Sequence, residues 1–75
     1  MDRRRFDRIT FDPRIMGGRA CIRGLRLTVA TVLDLLAAGA SVDEVLAEYP
    51  YLEREDVAQA LAYAASLARE DVVPA

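Results

Sequence analysis

The sequence predicts a mainly α-helical domain with an N-terminal β-hairpin, in which three helices form a helix-turn-helix-like unit. Alternating polar and apolar residues near the start predict the hairpin, and paired glycines predict its turn. Apolar residues then recur at helical spacing in three segments separated by glycine or proline. With 75 residues the chain makes one domain, divided into a basic arm (1–8), a β-hairpin (9–27) and a three-helix unit (28–70).

The hairpin is predicted from residues 8–12, which alternate between polar and apolar side chains as a half-buried strand does. An Asp-Pro step ends this strand, and Gly17 and Gly18 are suited to the turn because positive φ costs glycine little. A second strand resumes at Arg19. The parity of its apolar positions changes at Gly24, which indicates a β-bulge or a sharp bend.

The three helices are predicted from their caps and their apolar spacing. Helix one begins after Thr28, a suitable N-cap, and ends before Gly39, which we count as a fourth structural turn glycine. Helix two opens on the capping-box pair Ser41 and Glu44, and Pro50 ends it. Helix three runs from about 54 to 69. In each helix, apolar residues at helical spacing form a stripe that we expect to be buried. The stripes are Val29, Val32, Leu33 and Leu36 in helix one; Val42, Val45, Leu46 and Tyr49 in helix two; and Val57, Ala60, Leu61, Ala64 and Ala68 in helix three. Gln59, Ala62 and Ser66 are expected to form the outward face of helix three.

Charge divides the chain into a basic first third and an acidic remainder. Residues 1–26 hold eight arginines against three aspartates, whereas residues 27–75 hold two arginines against nine acids. This asymmetry is typical of a basic region that meets a polyanion, but ordinary solvated surfaces also produce it. If DNA is bound, the expected phosphate contacts are Arg3, Arg4, Arg5, Arg8, Arg19, Arg23 and Arg26. Arg26, beside the bend, is suited either to bracing local carbonyl groups or to contacting a partner.

The first turn of helix three argues against groove reading by that helix. It reads Glu53-Arg54-Glu55-Asp56, and acids at this end favour the helix dipole but repel a phosphate backbone. We therefore expect any DNA contact to come from the arm and the hairpin.

Catalysis, metal binding and cofactor binding are not expected. The chain has no histidine and one cysteine, so Ser-His and Cys-His pairs and cysteine metal sites cannot form. Cys21 is expected to be a buried apolar residue. We interpret the acids Asp34, Asp43, Glu44 and Glu48 as solvated surface rather than a catalytic cluster.

Because the sequence contains neither an 18-residue apolar run nor a signal-peptide pattern, we expect no membrane span and a cytoplasmic location.

A homodimer formed through the hairpin is also expected. The chain is 53% apolar, yet a domain of this size buries only about 60% of the surface of its unfolded chain. An isolated two-stranded hairpin is marginally stable in water. Two hairpins paired across a twofold axis would bury apolar surface and cover their exposed edges.

Two stretches of the chain follow a recognisable pattern. They read ITFDPRIMGGRACIRGLRLTV and, after the first helix begins, LAAGASVDEVLAEYPYLEREDVAQALAYA. Together they resemble the DUF433 family, whose pattern runs roughly I-x-x-(D/N)-P-x-(I/V)-x-G-G-(K/R)-P-x-I-x-G-T-R-I-x-V and later Y-P-x-L-(T/S)-x-E-D-(I/V). The positions that match most closely are Gly17, Gly18, Arg19, Gly24 and Arg26.

The resemblance implies that the three helices form a homeodomain-like or winged-helix-like domain. It also implies an antitoxin of the VapB type, paired with a PIN-like ribonuclease toxin. Two jobs follow from it, which are neutralising the toxin and repressing the shared promoter. The acidic start of helix three favours an alternative, a protein-interaction adapter that does not bind DNA. The chain departs from the family pattern at Ala20 (usually proline), at Leu25 (usually threonine, whose hydroxyl can satisfy the backbone near the bend) and at Glu53 (usually Thr or Ser, better N-caps).

Overall fold

The computed structural model describes residues 6–70, apart from the side chain of Glu70. The elements are β1 (Ile9–Thr10), β2 (Cys21–Ile22), α1 (Val29–Ala37), α2 (Val42–Glu48) and α3 (Arg54–Glu70). The two strands pair antiparallel, with Ile9 opposite Ile22. The predicted class, a mainly α-helical domain with an N-terminal β-hairpin, is confirmed.

The hairpin is shorter than the sequence predicts, with two residues in each strand. The connection contains a 3-10 turn at Met16–Gly18, and the amide of Ile15 donates to the carbonyl of Asp12 at 2.8 Å. Turns therefore occupy most of the segment that was expected to be strand. All four predicted turn glycines lie at positive φ: Gly17 (68°), Gly18 (83°), Gly24 (71°) and Gly39 (105°).

A tight turn at Arg23 and Gly24 folds the chain back along β2. Both residues have positive φ, 46° and 71°, and the Leu25 amide donates to the Ile22 carbonyl at 2.8 Å, as in a type I′ turn. The Gly24 amide donates to the Thr10 hydroxyl at 2.8 Å. Thr10 thus provides a hydroxyl that satisfies the backbone at the bend.

β1, β2 and residues 27–29 lie side by side, and we call these three segments the ribbon. β2 is its middle segment. Beyond the turn, Thr28 forms an isolated antiparallel bridge with Cys21, and the amide of Val29 donates to the carbonyl of Ala20 at 2.9 Å. Cys21 is 2% exposed and Ile22 is fully buried, so the prediction that Cys21 is a buried apolar residue is confirmed.

The caps of α1 and α2 are those predicted. The Thr31 amide donates to the Thr28 hydroxyl at 3.1 Å. In α2 the Glu44 amide donates to the Ser41 hydroxyl at 3.1 Å, and the Ser41 amide donates to the Glu44 carboxylate at 2.7 Å. This reciprocal pair satisfies two backbone donors that a helix start otherwise leaves open.

α3 buries only part of the face predicted for it: Val57 and Ala60 are buried as expected, but other positions differ. Ser66, expected to face outward, is 7% exposed, whereas Leu61, expected in the core, is 46% exposed, and Ala68 is also exposed. The ring of Phe6 packs edge-on against Tyr63 at a centroid distance of 5.7 Å. Contact with the segment before β1 therefore covers the Tyr63 side of the helix. The buried apolar core comprises Phe6, Ile9, Ile22, Leu27, Val29, Val32, Val45, Leu52, Val57 and Ala60.

Phe6 and Arg8, which the prediction assigns to the basic arm, pack against the rest of the domain instead. Phe6 belongs to the core and is 9% exposed, and Arg8 pairs with α3. Arg3, Arg4 and Arg5 lie outside the described residues.

A dimer through the hairpin stays a prediction, and the two-residue strands give it a shorter edge than expected. None of the helices within residues 6–70 combines the length and the apolar character needed to cross a bilayer.

Candidate interaction surface

The buried carboxylate of Asp56 joins the ribbon to α3. Its side chain is fully buried and accepts hydrogen bonds from Arg23 Nε (3.0 Å), Arg23 Nη2 (2.9 Å) and Arg8 Nη1 (2.9 Å). It also accepts from the amide of Glu53, just before α3, at 2.9 Å. We call Asp56, Arg8, Arg23 and Glu53 the clasp. Because Arg23 and Arg8 lie 33 and 48 positions from Asp56 in the sequence, the clasp fixes the tertiary arrangement.

Charge within the clasp is balanced. Arg8 Nη1 also contacts Glu53 Oε1 at 2.6 Å, so two guanidinium groups face two carboxylates. Burial raises the pKa of Asp56, but hydrogen bonds from Arg23, the Glu53 amide and Arg8 outweigh it, and the pKa lies below its ordinary value. Hydrogen bonds to Glu53 and Asp56 raise the pKa of Arg8. Asp56 therefore remains ionised at neutral pH.

The structure gives Arg8 and Arg23 an internal role that the sequence reasoning missed. Both were expected to contact DNA phosphates, but each guanidinium group binds Asp56, and Arg23 also donates to the Tyr51 carbonyl at 2.8 Å. The first turn of α3 also presents fewer acids to solvent than its sequence suggests. Asp56 points inward, whereas Glu53 and Glu55 stay exposed. Within the described residues, the DNA hypothesis now depends on the remaining candidate arginines.

Gln59 extends this contact between α3 and the ribbon. Its Oε1 accepts from the backbone amide of Arg8 at 2.9 Å, and its Nε2 donates to Asp7 Oδ1 at 2.8 Å. Gln59 was predicted to face outward. The side-chain amide of Gln59 instead holds Asp7 and Arg8, just before β1, against α3.

Arg19 and Arg26 are the candidate arginines that stay available. Both residues are exposed, and within residues 6–70 neither side chain forms an ion pair or a hydrogen bond. The bracing role weighed for Arg26 is therefore not observed. Both positive charges face solvent.

The acids once weighed as a catalytic cluster do not form one. Asp34, Asp43, Glu44 and Glu48 are exposed, with Asp43 paired to Arg54 and Glu44 engaged in its cap. In the part of the chain that the structure describes, no group of three or more His, Cys, Asp or Glu side chains could hold a metal ion.

An apolar groove opens between the start of α1 and the end of α3, with a volume of about 360 Å³. Tyr63 forms part of one wall and is held by edge-on contacts with Phe6 at 5.7 Å and Phe11 at 6.0 Å. We call this depression the α1–α3 groove. Its lining includes Val29, Ala30 and Leu33 of α1, Tyr63, Ala64 and Leu67 of α3, and the exposed Arg19 at its edge.

Comparisons with known proteins relate this fold to others. Residues 9–64 match the family model described as a protein of unknown function, DUF433. The uncharacterized protein y4eO of Sinorhizobium fredii is 39% identical over 56 residues, a match that covers 75% of this chain. The chain spans about a quarter of the length of that curated relative, 25%. The crystal structure of a DUF433 member from Anabaena variabilis has 34% sequence identity and a TM-score of 0.78, covering 85% of this chain and 63% of that one.

Proposed function

This chain belongs to the DUF433 family, and we propose that it acts in the cytoplasm as the antitoxin-like component of a type II toxin–antitoxin pair. In this proposal its main ligand is a protein, a PIN-like ribonuclease toxin. The fold alone does not determine a function, so the argument rests on where the charges and apolar side chains lie.

The clasp is the observation that carries the choice of a protein ligand. Arg8 and Arg23, two of the arginines suited to phosphate contacts, are each paired with the buried carboxylate of Asp56. Glu55, an exposed acid in the first turn of α3 that forms no ion pair within residues 6–70, opposes the approach of a DNA backbone to that end of the helix. The helical surface is therefore better suited to a protein than to a DNA groove.

Exposed apolar side chains support the same conclusion. Large hydrophobic residues that remain 40–57% exposed are Phe11, Met16, Tyr51, Leu61 and Leu67. Single exposed apolar residues are normal on any protein, but a contiguous apolar depression is typical of an interaction site. The α1–α3 groove, which contains Leu67, is such a depression.

The test is co-expression with the product of the neighbouring gene. We expect the two proteins to co-purify as a stable complex, and we expect the neighbour alone to cleave RNA. Adding this chain in equimolar amount should suppress that cleavage. A neighbour that is unlike any nuclease, or cleavage that continues at saturating antitoxin, would contradict the proposal.

DNA binding is a second candidate function, favoured by one observation. Arg19 and Arg26 are exposed without an internal partner among the described residues, and Arg3, Arg4 and Arg5 add positive charge to the same third of the sequence. Such a region suits phosphate contacts that position a repressor on its own promoter.

Salt dependence separates this candidate from an adapter that does not bind DNA. Affinity for the upstream DNA should be measured at two salt concentrations for the wild type and for a variant with Arg19→Ala and Arg26→Ala. Each lost phosphate contact should reduce the slope of log affinity against log salt by about one unit. A matched variant with Arg54→Ala, an exposed arginine on α3, should keep the slope. No binding at low salt would leave the adapter as the function.

A further inference from the structure

The α1–α3 groove has apolar walls from two helices. Val29 and Leu33 of α1 lie on one side, and Tyr63 and Leu67 of α3 lie on the other. Its volume of about 360 Å³ lies near the small end of the range for ligand sites, about 300–1,000 Å³. This size suits a few side chains of a protein segment.

Leu67 shows that the apolar face of α3 continues beyond the core. It lies two helical turns after Ala60 on the same face, since residues seven apart in a helix nearly superimpose. Ala60 is fully buried, whereas Leu67 is 45% exposed. The described residues therefore leave apolar surface uncovered inside the groove.

Charge at the edge of the groove is positive. Arg19 lines the groove, is exposed, and forms no ion pair within residues 6–70. A carboxylate on the ligand would complement this guanidinium group, whereas a lysine or arginine at that point would be repelled. Such complementarity orients and speeds association more than it adds affinity.

We propose that the α1–α3 groove binds an apolar segment of the partner protein that inserts aliphatic or aromatic side chains between α1 and α3 and places a carboxylate against Arg19. This deepens the proposed function and rests on it for the partner. Apolar burial around Leu67 provides most of the affinity, and Arg19 selects an acidic over a basic segment.

The experiment uses a phage-displayed library of random 16-residue peptides, selected on the wild-type chain and depleted on Leu67→Glu. We expect a consensus of two or more large apolar residues with an aspartate or glutamate at a fixed spacing. One consensus peptide, synthesised with a fluorescein label, then gives dissociation constants by fluorescence anisotropy.

The structure provides a matched control on the same helix. Leu61 is 46% exposed and Leu67 is 45% exposed, but only Leu67 lines the groove. Leu67→Glu should weaken peptide binding at least tenfold, because it places a charge in an apolar site. Leu61→Glu should change binding less than twofold. Circular dichroism confirms that each variant is folded.

A charge swap tests the role of Arg19. Arg19→Glu should weaken binding of the acidic peptide about fivefold, the equivalent of about 1 kcal/mol for an exposed ion pair. A peptide whose acid is replaced by lysine should bind Arg19→Glu better than it binds the wild type. Equal binding of both peptides by both proteins would overturn the charge assignment.

Other occupants of the groove give distinct results, each of which overturns the proposal. If the wild type is a dimer by light scattering and Leu67→Glu is a monomer, a second copy of the chain fills the groove. If the full chain binds no peptide and a chain ended after position 70 does, residues 71–75 fill the groove. A selection that yields no Leu67-dependent peptide would exclude the groove as a binding site. The peptide measurements involve this chain and a synthetic peptide alone. They can therefore succeed or fail independently of the nuclease-inhibition test of the proposed function.

Discussion

Replacing Asp56 with alanine should remove a large part of the stability of this domain. The substitution deletes a fully buried carboxylate that accepts hydrogen bonds from Arg8, Arg23 and the Glu53 amide. Removing one member of a buried ion pair typically costs about 3–5 kcal/mol. The Arg8 and Arg23 side chains are 28% and 37% exposed, so water can reach them after the loss, and we expect the lower end, about 3 kcal/mol.

Urea unfolding followed by circular dichroism measures this loss. A domain of this size has a free energy of unfolding of about 4–11 kcal/mol, and a slope near 1 kcal/mol per molar urea is typical of small proteins. The midpoint should therefore fall by about 3 M in Asp56→Ala. Asp56→Asn keeps the shape and one acceptor, so we expect a smaller loss of about 2 kcal/mol.

The matched control is Asp43→Ala. Asp43 also pairs with an arginine, Arg54, but the two side chains are 78% and 65% exposed. An exposed pair contributes less than about 1 kcal/mol, so the midpoint should move little. Similar losses in Asp43→Ala and Asp56→Ala, or a loss under 1 kcal/mol in Asp56→Ala, would refute the reasoning.

Three further predictions concern pH, the bend and the cap of α2. The folded-state pKa of Asp56 lies below its unfolded value of about 3.9, so its contribution is present above that value and is lost as pH falls through the lower folded-state pKa. Urea midpoints should therefore drop below about pH 4 in the wild type, and a drop of the same size in Asp56→Asn would contradict this. Gly24→Ala should cost about 1 kcal/mol and lower the melting temperature by about 4–8 °C, because φ is 71° there. A Cβ at this site meets no atom within 4 Å, so an unchanged melting temperature would show that the conformation is not strained. Ser41→Ala should lower the free energy of unfolding by about 1 kcal/mol, because it removes the acceptor for the Glu44 amide. Ser41→Gly should lower it by only about a few tenths of a kcal/mol. Equal melting temperatures for the wild type and Ser41→Ala would count against a stabilising role for the cap.

Local signals predicted the start of α1 and α2 well, since a cap depends on residues within one turn. Thr28 and Ser41 accept the amide bonds that their positions imply, and Gly39 follows α1 at positive φ. The sharp bend at Gly24 was also predicted, because a change of apolar parity can be read within a few residues.

The buried face of α3 could not be predicted in the same way. Alanine is abundant along this helix, so its apolar positions do not define one stripe. The contact between Phe6 and Tyr63 joins residues far apart in the sequence, which no local pattern reveals. The residues of the clasp are distant in the sequence, so no local pattern links them. One signal was present, since Asp56 shares the helix face of Ala60, and a lone acid within an apolar face indicates a buried ion pair.

The two-residue strands have a consequence for synthesis of the chain. A hairpin of this length is not stable by itself, and its link to the helices depends on Asp56, which is translated 33 residues after Arg23. We therefore expect the ribbon to become stable on the ribosome only after the first turn of α3 has emerged. Until then the growing chain exposes Ile9 and Ile22, which chaperones and proteases can reach.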